Sequence, residues 1–154
     1  MAFSRPQRAS AYVLPVGEFR IVLLSGKNTG RLEVGDVPDP ANQSHTLPVT
    51  GLERTLIDIV VRPAYAGGVT HLLDAFHGAG QRVRIPELVA TLRSLGYVYP
   101  YHQALGFLLE RAGVEPSRLD PLRAMGLDFD FHLAHGMGER DYDADWRLFY
   151  PKGL

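Results

Sequence analysis

From Tyr12 to Leu24 apolar and polar residues alternate loosely around Pro15 and Gly17, then run as Phe19-Arg20-Ile21-Val22-Leu23-Leu24. β-Branched and aromatic residues between turn formers predict a hairpin or two strands. GKNTG at 26–30 predicts a turn and Arg31–Val37 a further strand, while Asp36–Pro48, rich in Pro, Asp, Asn and Ser, predicts a loop. Residues 1–11 are polar and unpatterned, and a flexible arm is expected there.

The period then changes. Thr50 and Glu53 have the spacing of a capping box, in which the Thr hydroxyl accepts from the Glu53 amide and the Glu53 carboxylate accepts from the Thr50 amide. Leu52, Leu56, Ile59 and Val60 repeat at helical spacing until Pro63 forbids continuation. After Gly67-Gly68, Val69, Leu72, Leu73 and Phe76 share one face of a second helix. Pro86 suits the first turn of a third, with Leu88, Val89, Leu92 and Leu95 inward and Gly96 as its cap. A fourth covers Tyr101–Ala112, with Leu105, Leu108 and Leu109 buried and Gly113 ending it, and Glu115-Pro116 opens a short fifth. Leu127–Leu133 alternates strictly, which predicts a strand with one wet face, and Trp146–Tyr150 predicts the last strand, closed by Pro151. Strands, then helices, then strands, without βαβ alternation, predict an α+β fold. A small antiparallel sheet from the N- and C-terminal strands would pack on about four to five helices, with 12–154 as a single domain.

Composition narrows the classes. The chain has 154 residues, 45% hydrophobic and 21% charged, enough apolar matter for one core. Sixteen basic and seventeen acidic side chains leave a net charge of −1, so no whole-chain field draws in polyanions. The absence of cysteine excludes disulfides, Cys-based metal sites and a thiol nucleophile. The N-terminus has no apolar signal core and no run approaches a membrane span, so a soluble, cytoplasmic protein without a membrane partner is expected.

Candidate chemistry is sparse. GKNTG lacks the first glycine of a phosphate-binding loop, whose place holds Ile21, and the hydroxyl after the lysine, whose place holds Asn28. His132 and His135 lie near Asp130, Glu139, Asp141, Asp143 and Asp145, ligand types that a metal-dependent hydrolase or nuclease would use. Positions three apart on a strand point to opposite faces, however, and segment 114–154, with eight acidic and five basic residues, reads first as a solvated acidic surface, with a docking face for a basic partner as the alternative. Arg5, Arg8, Lys27 and Arg31 are scattered cations that would serve a nucleic-acid-binding accessory as weak phosphate contacts. Asp58 lies four residues from both Arg54 and Arg62, spacing that predicts ion pairs. No catalytic residue, cofactor or metal is expected.

Two ordered stretches, VTGLERTLIDIVVRPAYAGGVTHLLDAF (49–76) and YHQALGFLLERAGV (101–114), resemble the C-terminal domain of AbiEi-type antitoxins from abortive-infection, type IV toxin–antitoxin systems. In that family a T-x-x-E-R-T-L-I-D stretch leads through Arg-Pro and a Gly-Gly pair into a helix, matched here by Thr50, Glu53, Arg54, Thr55, Leu56, Ile57 and Asp58, then Arg62, Pro63, Gly67 and Gly68. A later helix ends in L-G-[YF]-L-L-E-x-x-G, matched by Leu105, Gly106, Phe107, Leu108, Leu109, Glu110 and Gly113, and Tyr142, Trp146, Arg147 and Leu148 fit the closing strand. The likeness covers about residues 45–150. It implies a non-enzymatic antitoxin that counters a nucleotidyltransferase-like toxin, functionally and without a stable complex, in phage defence. Family members also resemble transcriptional repressors of their own operon and carry a winged helix–turn–helix ahead of this domain. No such pattern precedes residue 45, so operator binding would fall to a separate or missing module. Arg54, Thr55, Asp58, Arg62 and Tyr65 could meet a partner beside the flexible Gly67-Gly68 corner, or could tie the helices internally.

Overall fold

A computed structural model describes residues 11–22 and 30–154. The arm expected over 1–11 and the GKNTG turn, apart from their last residues, lie outside the described part.

The first strands form two separate ribbons. β1 (Val13–Val16) and β2 (Phe19–Val22) make the expected hairpin around Gly17, whose φ of 59° suits a residue without a Cβ. β3 (Val34–Pro38) pairs with β4 (Thr46–Thr50), so the loop expected over Asp36–Pro48 is largely a second antiparallel hairpin. Its turn is built by Asp39 and Asn42, whose carboxylate and amide oxygens accept from the backbone of Ala41 and Ser44. Pro48, opposite Asp36, reads as a breaker in sequence, but in a two-stranded ribbon every strand is an edge that tolerates proline.

The chain then becomes helical: α1 (Leu52–Val61), a 3₁₀ turn at Pro63–Tyr65, α2 (Val69–Ala79), α3 (Ile85–Leu95), α4 (Tyr101–Arg111), a 3₁₀ turn at Pro116–Leu119 and the short α5 (Asp120–Arg123). The expected helices are present, Pro63 ends α1, and Gly96 caps α3 with φ 60°. The capping box is not formed. Thr50 is held in the strand pair opposite Val34, so Gly51 becomes the N-cap, in extended backbone with φ −61° and ψ 167°. The Thr50 hydroxyl instead shares a hydrogen bond with Thr55 Oγ1 at 2.8 Å.

α1 packs on α3 and α4, and α4 also meets α2 and α5, so α4 is the central helix. Leu56, Ile57, Leu72, Phe76, Leu88, Ala104, Leu105 and Leu108 are all buried in one cluster. The C-terminal strands form a mixed sheet in the order β5 (Phe131–His132), β7 (Leu148–Pro151), β6 (Arg140–Asp143), with β5 parallel and β6 antiparallel to β7. Phe131, Trp146 and Leu148 turn inward and join the helical core. The fold is α+β, with the strands of the described residues divided among three small sheets. Most of the strand expected over 127–133 is loop, because only Phe131 and His132 find a partner in β7, and Tyr142, grouped by the resemblance with Trp146–Leu148 in one closing strand, lies in the separate strand β6. Among the described residues no helix is long and apolar enough to cross a membrane.

Candidate functional site

The first motif is consumed around α1. Arg54 is buried; its Nε donates to both Asp58 oxygens at 3.0 and 2.9 Å, and its Nη1 donates to the Leu32 carbonyl at 2.9 Å. This fork joins α1 to the chain entering β3. Glu53, also buried, accepts from the Arg84 amide at 2.9 Å and lies 3.6 Å from the Arg84 guanidinium, which fastens the start of α3 to α1. Thr55 donates back to the Gly51 carbonyl at 2.9 Å. The Arg62 amide donates to the Asp58 carbonyl, ending the helix, and buried Pro63 starts the following turn. Tyr65 N–H donates to the Arg62 carbonyl within that turn. Gly67 and Gly68 have φ of 82° and 90°, and a Cβ on Gly67 would press on the His71 ring, so this corner requires glycine.

The second motif forms a lock. A Cβ on Gly106 would collide with Trp146 Cη2 and Cζ3, so the missing side chain is the space into which the indole fits. Trp146 Nε1 donates to Glu110 Oε2 at 2.5 Å, and Arg123 donates to the same oxygen at 3.0 Å with its guanidinium 4.4 Å from the indole centroid. Gly106 and Glu110, one helical turn apart on α4, and Trp146, 36 residues beyond Glu110, thus belong to one constellation with Arg123, a residue that no local sequence pattern singles out.

The histidine segment does not gather a metal site. The His132 ring lies tilted with its centroid 4.8 Å from that of Phe149, which in turn lies 4.8 Å from Tyr142, and Asp130 accepts from Tyr142 at 2.8 Å and from Arg147 at 3.0 Å. Those two donors, Tyr142 first, hold the Asp130 carboxyl below its usual range, while burial lowers His132. Among the described residues no three His, Asp or Glu side chains converge where a cation could sit. Of the proposed phosphate contacts, Arg5, Arg8 and Lys27 lie outside the described residues, and Arg31 pairs with Asp36 at 3.3 Å.

A different place has the geometry of a ligand site. Between the end of α3, the start of α4 and loop 125–129 lies a cavity of about 370 Å³. The rings of Tyr97, Tyr99 and Phe129 line it, together with Arg93, His102 and Asp128. The loop is pinned through its backbone: His102 Nε2 donates to the Gly126 carbonyl at 2.6 Å, Arg147 Nη1 to Leu127 and Asp128 carbonyls at 3.1 and 3.2 Å, and Gln103 Nε2 to the Phe129 carbonyl at 2.9 Å. A carbonyl can only accept, so His102 carries its proton on Nε2, and burial pushes its pKa down, favouring the neutral ring. Arg147 itself adopts φ 50°, unusual for a residue with a Cβ, and its side-chain contacts hold it there. Burial raises Tyr101, in the aromatic group beside this cavity, to about 12. The alternating pattern of 127–133 suggested a strand, and the donors that pin the loop lie in α4 and β7, beyond any local signal.

No protein-family model matches the sequence, and no curated protein matches it either. The crystal structure of the RV2827C protein from Mycobacterium tuberculosis is similar in fold, with a TM-score of 0.62 at 20% identity over 96% of this chain. This chain spans 57% of the length of that protein.

Proposed function

We propose that the chain is the antitoxin or regulatory domain of an AbiEi-like type IV toxin–antitoxin system, acting in the cytoplasm against a nucleotidyltransferase-like toxin without catalysing a reaction. The observation that supports this reading is the meeting of the two motifs: they fold as α1 and α4, which pack on one another around a shared core. Residues that carry the resemblance thereby have structural reasons, Gly106 and Glu110 through Trp146 and Arg54 through Asp58. In this reading Thr50, Glu53, Arg54, Gly106 and Trp146 build the scaffold, and antitoxicity resides in the surface that the scaffold carries. Any contribution to operon repression would come through operator DNA held by a winged-helix module.

The test is coexpression of the full chain with the gene that adjoins its own, which this reading expects to encode a nucleotidyltransferase-like toxin. Growth restored by the chain is the expected result. Growth arrest that persists while the folded chain accumulates overturns the reading.

A further inference from the structure

The cavity beside loop 125–129 is untouched by the scaffold argument, and three features make it a built site. Its volume, about 370 Å³, falls within the range of small-molecule sites, roughly 300–1,000 Å³. Its loop is rigid in advance: the carbonyls of residues 126 to 129 each receive a side-chain donor, while Asp128 and Phe129 line the cavity. Ordering that a ligand would otherwise impose is already in place. Its lip is apolar surface open to solvent, with Val98 93% and Phe129 61% exposed and both lining the cavity.

The lining then selects among ligands. Tyr97, Tyr99, Phe129 and Met125 offer ring faces and a polarizable thioether, which favour a flat aromatic group. Fixed charge comes in both signs: the Asp128 carboxylate, which has no ion-pair partner among the described residues, and the Arg93 guanidinium. A ligand with one charge gains from one of these groups and is opposed by the other. A dipolar ligand satisfies both.

We infer that this cavity binds a small aromatic molecule carrying one cationic and one anionic group, a free aromatic amino acid being the simplest of the class. The site stands apart from the antitoxin reading, and the outcome of coexpression does not bear on it. The experiment is a titration of the ¹⁵N-labelled full chain with L-tryptophan, tryptamine, indole-3-propionate and indole, followed by amide shifts. L-tryptophan is expected to move the amides of Gly96, Val98, Tyr99 and Gly126 saturably, with Kd below about 1 mM, and the other three probes to bind at least about tenfold more weakly. Asp128→Asn should bring tryptophan down to the level of indole-3-propionate, and Phe129→Ala, at an exposed position, should weaken all four probes while the remaining spectrum is kept. No saturable shift with L-tryptophan, equal binding of indole and tryptophan, or an Asp128→Asn variant that binds as the parent does would each overturn the inference.

Discussion

The Trp146 lock and the β1–β2 ribbon use similar residues to opposite ends. In the lock, a fully buried indole fills the space above Gly106 and its N–H meets Glu110, so apolar area and polar satisfaction arrive together. In the ribbon, register places Leu14, Ile21, Val16 and Phe19 on one face, and all four are exposed, Phe19 at 76%. The apolar content of a segment therefore does not report its share of the core. What decides is whether a third element lies against it. Among the described residues no third strand joins this ribbon and its apolar face is exposed, and a two-stranded ribbon by itself is marginally stable in water.

Breaking the lock should produce the largest effect. Trp146→Ala is expected to lower unfolding free energy by about 3–5 kcal/mol, read by urea denaturation, because it removes a fully buried aromatic and leaves a cavity. Gly106→Ala should follow, costing about 1–3 kcal/mol by overpacking against the ring. At the other extreme, Phe19→Ser should shift stability by no more than about 0.5 kcal/mol, the range of surface substitutions. A ribbon variant as damaging as a lock variant would erase the contrast between the two regions.

The helical part of this picture was legible because it is local. Leucine spacing, Pro63, Pro86 and Gly96 each act within a turn of helix, and α1 to α4 follow from them. The strands were less so. Pro48 and the Asp39–Ser44 turn resemble an open loop until cross-strand pairing with Val34–Pro38 is known. Thr50 and Glu53 have the spacing of a cap, but a strand partner claims Thr50 and the Arg84 amide, 31 residues away, claims Glu53. Trp146 and Glu110 were visible as residues of two motifs, whereas their meeting through Arg123 was not. The pinned loop was the least legible, since its order comes from side chains of α4 and from Arg147.

The smallest expected effect concerns that loop. His102 is buried with its pKa pushed below the ordinary 6.5, so the unfolded chain takes up this proton more readily than the folded one. Its contribution to stability is complete above pH 6.5 and is lost as pH falls below that value toward the folded pKa. Melting temperature should therefore decline over this interval, and the decline should be shallower in His102→Gln.

The most direct test of the scaffold role of the motif residues is a double-mutant cycle between Glu110→Ala and Trp146→Phe, measured by urea unfolding. Residues that share a hydrogen bond should show a coupling energy of about 0.5–3 kcal/mol, and that is the expected result. Additivity within about 0.3 kcal/mol would contradict the account, since Glu110 and Trp146 would then act separately and the seam would not be one unit.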